Sequence, residues 1–426
     1  MKQITRRAVS VLLLAVLVIL GTLLYLIRYV DRGQDWAAAY ARENAGGSGA
    51  LIDRSGLVLA SFSPHESLFQ EDRELRIANY HVTGDYYGRT GTGLLTDYQD
   101  YSLLTGTTLS QSSVLHLNID AELNRRAYAV LDGRPGAVMI VNYRSGELLC
   151  MVSSPAVDPL DPDPQPPEGA YLNRCLSAAF VPGSVFKLVT AAAAIEQIPD
   201  LSQRRFVCEG SLEIAGVEIK CSGRHGEQTF EQALSNSCNV AFAQLSVELG
   251  QETLLRYVRR FGFLDTQRLD GIPSVAGSFP VEFCGDPELG WAGVGQSTDL
   301  ICPYTLLRYV AAIANDGKLA EPHLIQSGAL GPATQLIKPG TAKQLQRLMH
   351  YIVVNGYGED RFPALSLCAK TGTAERGDGS SNAWFVGFLA DEAHPYAFVV
   401  LIERGGGGLG AAGSAANEIL QFAVSR

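Results

Sequence analysis

Two strand signals near residue 140 and three near the end of the chain bracket a long, mainly helical stretch. This bracket constrains the fold more than any other feature. GAVMIVNY and ELLCMVSS, split by Arg144-Ser145-Gly146, read as a strand–turn–strand hairpin. LCAKTGTAE, NAWFVGFLA and YAFVVLIER are three further strand candidates, and SAANEILQFAVSR a closing helix. Between them, helical signals dominate 184–197, 229–249 and 303–315. Pro303 stands near the start of the last and Gly317 just beyond its end. Strands this far apart in sequence share one sheet only if the intervening helices pack back over it. The expected class is α+β, an antiparallel sheet covered by helices. IDAELNRRAYAVL, with Asp120 as N-cap, is expected to be one of the covering helices. The proline-rich stretch 155–170 is a loop.

The N-terminal region is built differently. Between Arg7 and Arg28 lie 20 uncharged residues, AVSVLLLAVLVILGTLLYLI. As a helix they would span roughly 30 Å, the thickness of a bilayer's hydrocarbon core. Lys2, Arg6 and Arg7 precede the run, so the N-terminus is expected to stay cytoplasmic and the remainder to be exported. A cleaved signal peptide ending near Ala37-Ala38-Ala39 is the rival reading, disfavoured by the length of the run. Residues 1–28 are thus expected to be a cytoplasmic stub and single-pass transmembrane anchor. Residues 29–117 are expected to form a small β-rich pedestal, opening with a helical extension over 29–46 and a strand–turn–strand around Arg54-Ser55-Gly56. Residues 118–426 form the main domain. The net charge of −10 and the lack of a Lys/Arg-rich run exclude nucleic acid as an expected partner.

Of eight cysteines, Cys208 and Cys221 flank EGSLEIAGVEIK, a hairpin candidate that would bring its ends together. An exported domain permits a Cys208–Cys221 disulfide, with two free thiols as the alternative. No C-x-x-C spacing is present, and neither a metal nor a cofactor is expected. His225-Gly226 reads as a loop before a helix. Arg404 and the glycines after it read as a mobile loop at a cleft rim, since no Lys-Ser/Thr follows to make a phosphate loop.

Three short motifs carry chemistry. Ser184 and Lys187 lie three residues apart after the backbone break Pro182-Gly183, so a helix starting there places them on one face. A serine hydroxyl needs a base to become a nucleophile, and a desolvated lysine can be one. Ser237-Cys238-Asn239 falls between two helical runs; Ser237 could pass a proton to a leaving amine, and Asn239 could hold a substrate amide or Lys187. Lys370-Thr371-Gly372-Thr373 lies in a strand whose alternation puts Lys370 and Gly372 on one face. There Lys370 would add positive charge to the cleft, and the Thr371 and Thr373 hydroxyls could bind a carboxylate. Gly372 marks a close backbone approach. The N–H groups of Ser184 and Thr373 together would form an oxyanion hole.

In the order S-x-x-K, S-x-N, K-T-G, these motifs resemble those of the serine acyl-transferases that include β-lactamases and penicillin-binding proteins. With LIDRSGLVLA, GAVMIVNYRSGELLCMVSSPAVDP, LNRC, GVGQSTDLICPYTLLRYVAAIANDGKLAEPHLI and NAWFVGFLA, the chain is similar to class B penicillin-binding proteins over most of its length. The short pedestal and the H-V-T-G-D and G-R-T-G-T-G-L segments look most like the small PbpA-type members. Ser55 stands where the family usually has Asn, and Val185 where Thr is common. The resemblance implies a transpeptidase fold and a membrane-bound D,D-transpeptidase. Ser184 would attack the penultimate D-Ala carbonyl of a peptidoglycan stem peptide ending in D-Ala-D-Ala, and an amine of a neighbouring strand would resolve the acyl-enzyme. It also implies acylation by β-lactams and a SEDS-type glycan polymerase as partner. A D,D-carboxypeptidase or β-lactamase-type hydrolase, and a silent β-lactam sensor or scaffold, are the competing readings.

Overall fold

The computed structural model describes residues 13–26, 48–62, 67–85, 87–95, 112–161, 165–281, 284–296, 298–326 and 331–426. Residues 13–26 are helical and expose Leu13, Leu17, Ile19 and Leu24. No helix among the described residues is long and apolar enough to cross a membrane. The ends of the apolar run, and the helical extension expected over 29–46, lie outside the described residues.

Strands β1 (Ser48–Ile52), β2 (Val58–Phe62), β3 (Ser67–Phe69) and β4 (Ser112–His116) form a four-stranded sheet in the order β3-β2-β1-β4. The expected turn joins β1 to β2. The Asp53 carboxylate ties it, accepting from the N–H groups of Ser55 at 2.8 Å and Leu57 at 2.9 Å. The region is less purely β than expected, because helices Arg73–Ala78 and Tyr80–Thr83 follow β3. They are 6 and 4 residues long, too short to show a helical period in the sequence.

The main sheet is assembled from both ends of the remaining chain. Its first hairpin is β5 (Gly136–Asn142) and β6 (Leu148–Ser154). After the helical region come β11 (Leu367–Glu375), β12 (Ser381–Leu389) and β13 (Tyr396–Ile402), and the antiparallel order is β11-β12-β13-β5-β6. Shorter strands β7 (Arg205–Cys208), β8 (Ser211–Ile214), β9 (Val217–Lys220) and β10 (Gly226–Thr229) lie outside this sheet, pairing β7 with β10 and β8 with β9.

Alternation along the strands sorts the core into two layers. Val138 and Ile140 of β5 and Val400 and Ile402 of β13 face helix α1 (Ala121–Leu131) and the closing helix, contributing to a cluster with Leu123, Ala127, Ile419 and Leu420. Asp120 caps α1 as expected, accepting from the Leu123 N–H at 3.0 Å. Met139, Val141, Val399 and Leu401 face the opposite way. They meet a layer drawn from α2 (Lys187–Gln197), α3 (Phe230–Ser235), α4 (Asn239–Leu249), α5 (Asp286–Val294), α6 (Pro303–Ala314) and α7 (Pro339–Ile352). The closing helix is α8 (Ser414–Val424). Each apolar side chain fully buried this way contributes about 1.5–3 kcal/mol. Strand β11 is left at the sheet edge, and its free side packs against the turn that leads into α2.

Candidate active site

Ser184 lies in a 3₁₀ turn, Gly183–Phe186, that runs directly into α2. Gly183 has φ +57, and a Cβ there would come 2.7 Å from the Thr373 carbonyl oxygen. Only glycine lets the turn approach the strand this closely. Gly372 answers it from β11, where a Cβ would come 2.8 Å from the Pro182 carbonyl oxygen. Both contacts place Ser184 against the K-T-G strand.

The three motifs converge on the ammonium nitrogens. Lys187 Nζ lies 3.1 Å from Ser184 Oγ, 2.7 Å from Asn239 Oδ1, 2.5 Å from the Ser237 carbonyl oxygen and 3.2 Å from Ser237 Oγ. Ser237 holds φ +52, a left-handed conformation uncommon outside glycine, in the turn between α3 and α4. Its Oγ also lies 3.0 Å from Lys370 Nζ, which donates to the Thr371 carbonyl at 2.9 Å. The Ser237 hydroxyl thus bridges the two lysines.

Both lysine side chains are completely buried, and among the described residues neither is paired with a carboxylate. Burial lowers the Lys187 amine to about 7, only partly opposed by the sulfurs of Cys221 and Cys238. Burial pushes Lys370 well below its ordinary value, and the charge of Lys187 adds to that. A neutral Lys187 has two N–H donors and one lone pair. The Ser237 carbonyl and Asn239 Oδ1, the two shortest contacts and both pure acceptors, use the donors. The lone pair is then free for the Ser184 hydroxyl.

Thr371 and Thr373 have backbone groups directed off the free edge of β11. The Thr371 N–H donates to Tyr357 Oη at 2.7 Å, and the Thr373 carbonyl accepts from Gln296 Nε2 at 3.1 Å. Antiparallel alternation turns the Thr373 N–H to that same edge. The Tyr357 hydroxyl also meets Thr371 Oγ1 at 3.0 Å, and the Gly408 N–H donates to Thr373 Oγ1 at 3.2 Å. The glycine-rich segment is therefore docked on β11 at Gly408. Ser184, Ser237, Asn239, Thr371 and Thr373 line one cleft of about 880 Å³, together with Trp291, Gln296 and Glu375. The structure brings together the residues singled out in the sequence: Ser184, Lys187, Ser237, Asn239, Lys370, Thr371, Gly372 and Thr373. No role was expected for Tyr357, which carries no motif-level signal, or for Gln296, which lies in the family-like GVGQ segment; their hydrogen bonds brace the strand.

One expectation needs correction. The Cys208–Cys221 disulfide is not formed, and all eight cysteines are free. The β8–β9 hairpin does exist, and the Cys221 N–H reaches the Gly210 carbonyl at 2.8 Å. The Cys221 sulfur, however, faces Cys238 Sγ at 3.9 Å and His225 Nδ1 at 3.6 Å. His225 lies in a loop, as expected, and its ring turns toward these sulfurs. With Cys208, Cys221 and Cys238 it makes a group able to hold a metal ion, which the missing C-x-x-C spacing had hidden.

Residues 136–421 match the model of the penicillin binding protein transpeptidase domain. The chain belongs to that family. Among curated relatives, it is 32% identical to stage V sporulation protein D of Bacillus subtilis over 254 residues, 55% of this chain and 39% of the relative. It is 29% identical to peptidoglycan D,D-transpeptidase PbpA of Mycolicibacterium smegmatis over 321 residues, 66% of this chain and 64% of the relative. The chain therefore covers less than two thirds of the length of either relative. The ceftriaxone acyl-enzyme of penicillin-binding protein A from Mycobacterium tuberculosis superposes with a TM-score of 0.76 at 21% identity, covering 90% of this chain and 100% of that one. The penicillin-binding transpeptidase fold expected from the sequence is thus the fold observed.

Proposed function

We propose that this protein is a serine D,D-transpeptidase that crosslinks peptidoglycan stem peptides. One observation carries the reading: Lys187 Nζ stands 3.1 Å from Ser184 Oγ with its other hydrogen-bonding capacity occupied by Ser237 and Asn239. Neutral Lys187 takes the Ser184 proton as Oγ attacks the carbonyl of the penultimate D-Ala. The developing oxyanion sits between the N–H groups of Ser184 and Thr373. Ser237, bridging Lys187 and Lys370, delivers the proton to the departing D-Ala amine. The hydroxyls of Thr371 and Thr373, which line the cleft, bind the terminal carboxylate, while buried Lys370 holds Ser237 in place and Gly372 lets the Ser184 turn lie against the strand. An amine from a second stem peptide then attacks the acyl-enzyme, and the same groups run in reverse. β-Lactams enter by the first half of this path. Among the described residues no carboxylate hydrogen-bonds Ser184 or Lys187, which favours an amine acceptor over activated water and so a transferase over a hydrolase.

The apolar run over 8–27 serves as the single-pass anchor, with residues 29–117 as pedestal and 118–426 as an extracytoplasmic transpeptidase domain. The exposed apolar side chains of residues 13–26 support this. A SEDS-type polymerase supplies the glycan strands. Protease treatment of cells stripped of their wall tests the topology: residues beyond 28 are digested and the first 7 protected.

The activity is tested by incubating the full chain with labelled penicillin and mapping the adduct by mass spectrometry. A long-lived adduct on Ser184, absent in Ser184→Ala, is expected, and a D-Ala-D-Ala donor with an amine acceptor gives an amide product. Labelling that survives Ser184→Ala rejects the reading, and rapid hydrolytic turnover of the adduct converts it to a hydrolase.

A further inference from the structure

The S-x-N turn has two sides. Ser237 and Asn239 face the lysines, while Cys238 faces away from them into a cluster of three other side chains. We propose that Cys208, Cys221, His225 and Cys238 form a tetrahedral Cys₃His site for a structural zinc ion that staples the S-x-N turn to the β7–β10 region.

The first argument is geometric. The three sulfurs and the imidazole nitrogen all lie within 4.8 Å of one another. With Zn–S near 2.3 Å and Zn–N near 2.05 Å, a regular tetrahedron has S···S edges of about 3.8 Å and S···N edges of about 3.5 Å. The Cys221–Cys238 sulfurs are 3.9 Å apart, and Cys221 Sγ is 3.6 Å from His225 Nδ1. A disulfide would need roughly 2.05 Å, and none is formed. The side chains therefore stand at ligand–ligand spacing rather than bonding spacing.

The second argument concerns where the four come from. Cys208 ends β7, Cys221 follows β9 and His225 precedes β10. Gly226 pairs with Cys208 across the β7–β10 ladder, and the His225 N–H donates to the Cys208 carbonyl at 3.1 Å. Two small ladders thus bring three ligands to one end, and the α3–α4 turn supplies the fourth. The spacing is C-x₁₂-C-x₃-H-x₁₂-C. Neither two-stranded ladder carries a core of its own, and such small units are commonly held by a structural metal.

The third argument is the supporting shell. Cys208 and Cys238 are buried, and Cys221 and His225 partly so. The Asn239 N–H donates to Cys221 Sγ at 3.2 Å, and the Ala241 N–H to Cys238 Sγ at 3.5 Å. Backbone N–H groups aimed at sulfur stabilise thiolates, the form that binds metal. Asn239 therefore contacts Lys187 with its side chain and a zinc-ligating sulfur with its backbone, and the ion acts as a positioning element for the active-site turn. The Cys208 thiol now donates to the Gly223 carbonyl at 3.5 Å, a contact it exchanges for the metal.

The test uses the full chain purified without chelator. Elemental analysis is expected to find one zinc per chain. Replacement by cobalt(II) is expected to give strong visible ligand-field bands and a near-ultraviolet thiolate-to-cobalt charge-transfer band. Cys208→Ser is expected to weaken the charge-transfer band by about a third, while His225→Ala keeps it but loses cobalt to a chelator that the parent resists. If a variant fails to fold, the parent protein's zinc content and cobalt spectrum decide the matter alone. A chain free of zinc that gains no cobalt spectrum overturns the proposal, as does a non-reduced mass showing a disulfide among these cysteines. For the positioning role, stripping zinc from the folded parent is expected to slow penicillin acylation at least tenfold, restored by zinc. An unchanged rate removes that role and leaves the metal site standing. Metal content does not depend on the enzyme reading, so either can fail without the other.

Discussion

The two faces of the five-stranded sheet follow different rules. On the face covered by α1 and α8, alternating strand positions bury Val138, Ile140, Val400 and Ile402 against Leu123, Ile419 and Leu420. On the other face, at β11, Lys187 and Lys370 are buried with no carboxylate partner among the described residues, Ser237 is left-handed, and Gly183 and Gly372 permit contacts no side chain would allow. Each of those features costs stability by itself. Their concentration at one edge separates the part of the molecule made to hold together from the part arranged to react.

Substitutions that act on one face only can break this contrast. The largest effect is expected from Lys187→Met, which keeps the volume and removes the base. Penicillin acylation should fall on the order of 10²–10⁴-fold. Stability in urea should stay within about 1.5 kcal/mol, because an apolar group replaces a buried amine of similar size. Loss of folding with normal acylation in the remaining native protein would reverse the assignment. Tyr357→Phe sits on the boundary, since its hydroxyl serves both the backbone and the side chain of Thr371. It should lose about 1–3 kcal/mol, the cost of a buried N–H left without an acceptor, and should also raise the penicillin concentration needed for half-maximal acylation. Asp120→Ala on the far face should have the smallest effect on chemistry. Losing the α1 cap costs about 1 kcal/mol in denaturant melts and leaves the acylation rate unchanged.

The same contrast explains what was legible in the sequence. The far face was read well, because a strand with one period and a helix with another follow from local pattern. Asp120, the β5–β6 hairpin and the three C-terminal strands all fell where the alternation put them. The catalytic motifs were read because each joins a residue type to a spacing that the reaction demands. Tyr357 was missed because its role arises from where the chain returns in space, and neither spacing nor residue type announces it. Gln296 lies in the family-like GVGQ segment, but its contact with the Thr373 carbonyl is likewise set by where the chain returns. The sulfur cluster was misread for a related reason. Cys208 and Cys221 do flank a hairpin, but the Cys221 sulfur meets His225, 4 residues on, and Cys238, 17 residues on, and Cys238 belongs to the separate S-x-N motif. The helices at 73–83 were hidden by their brevity.

The pH dependence of Ser184 acylation tests the central claim most directly. If burial holds Lys187 near 7, the neutral amine is scarce below that pH and prevails above it. The rate of penicillin acylation should then climb roughly tenfold per pH unit from acid, bend near pH 7 and remain level to pH 9. A rate still climbing at pH 9, the behaviour of an ordinary lysine, or a rate indifferent to pH from 5 to 9, would contradict the account.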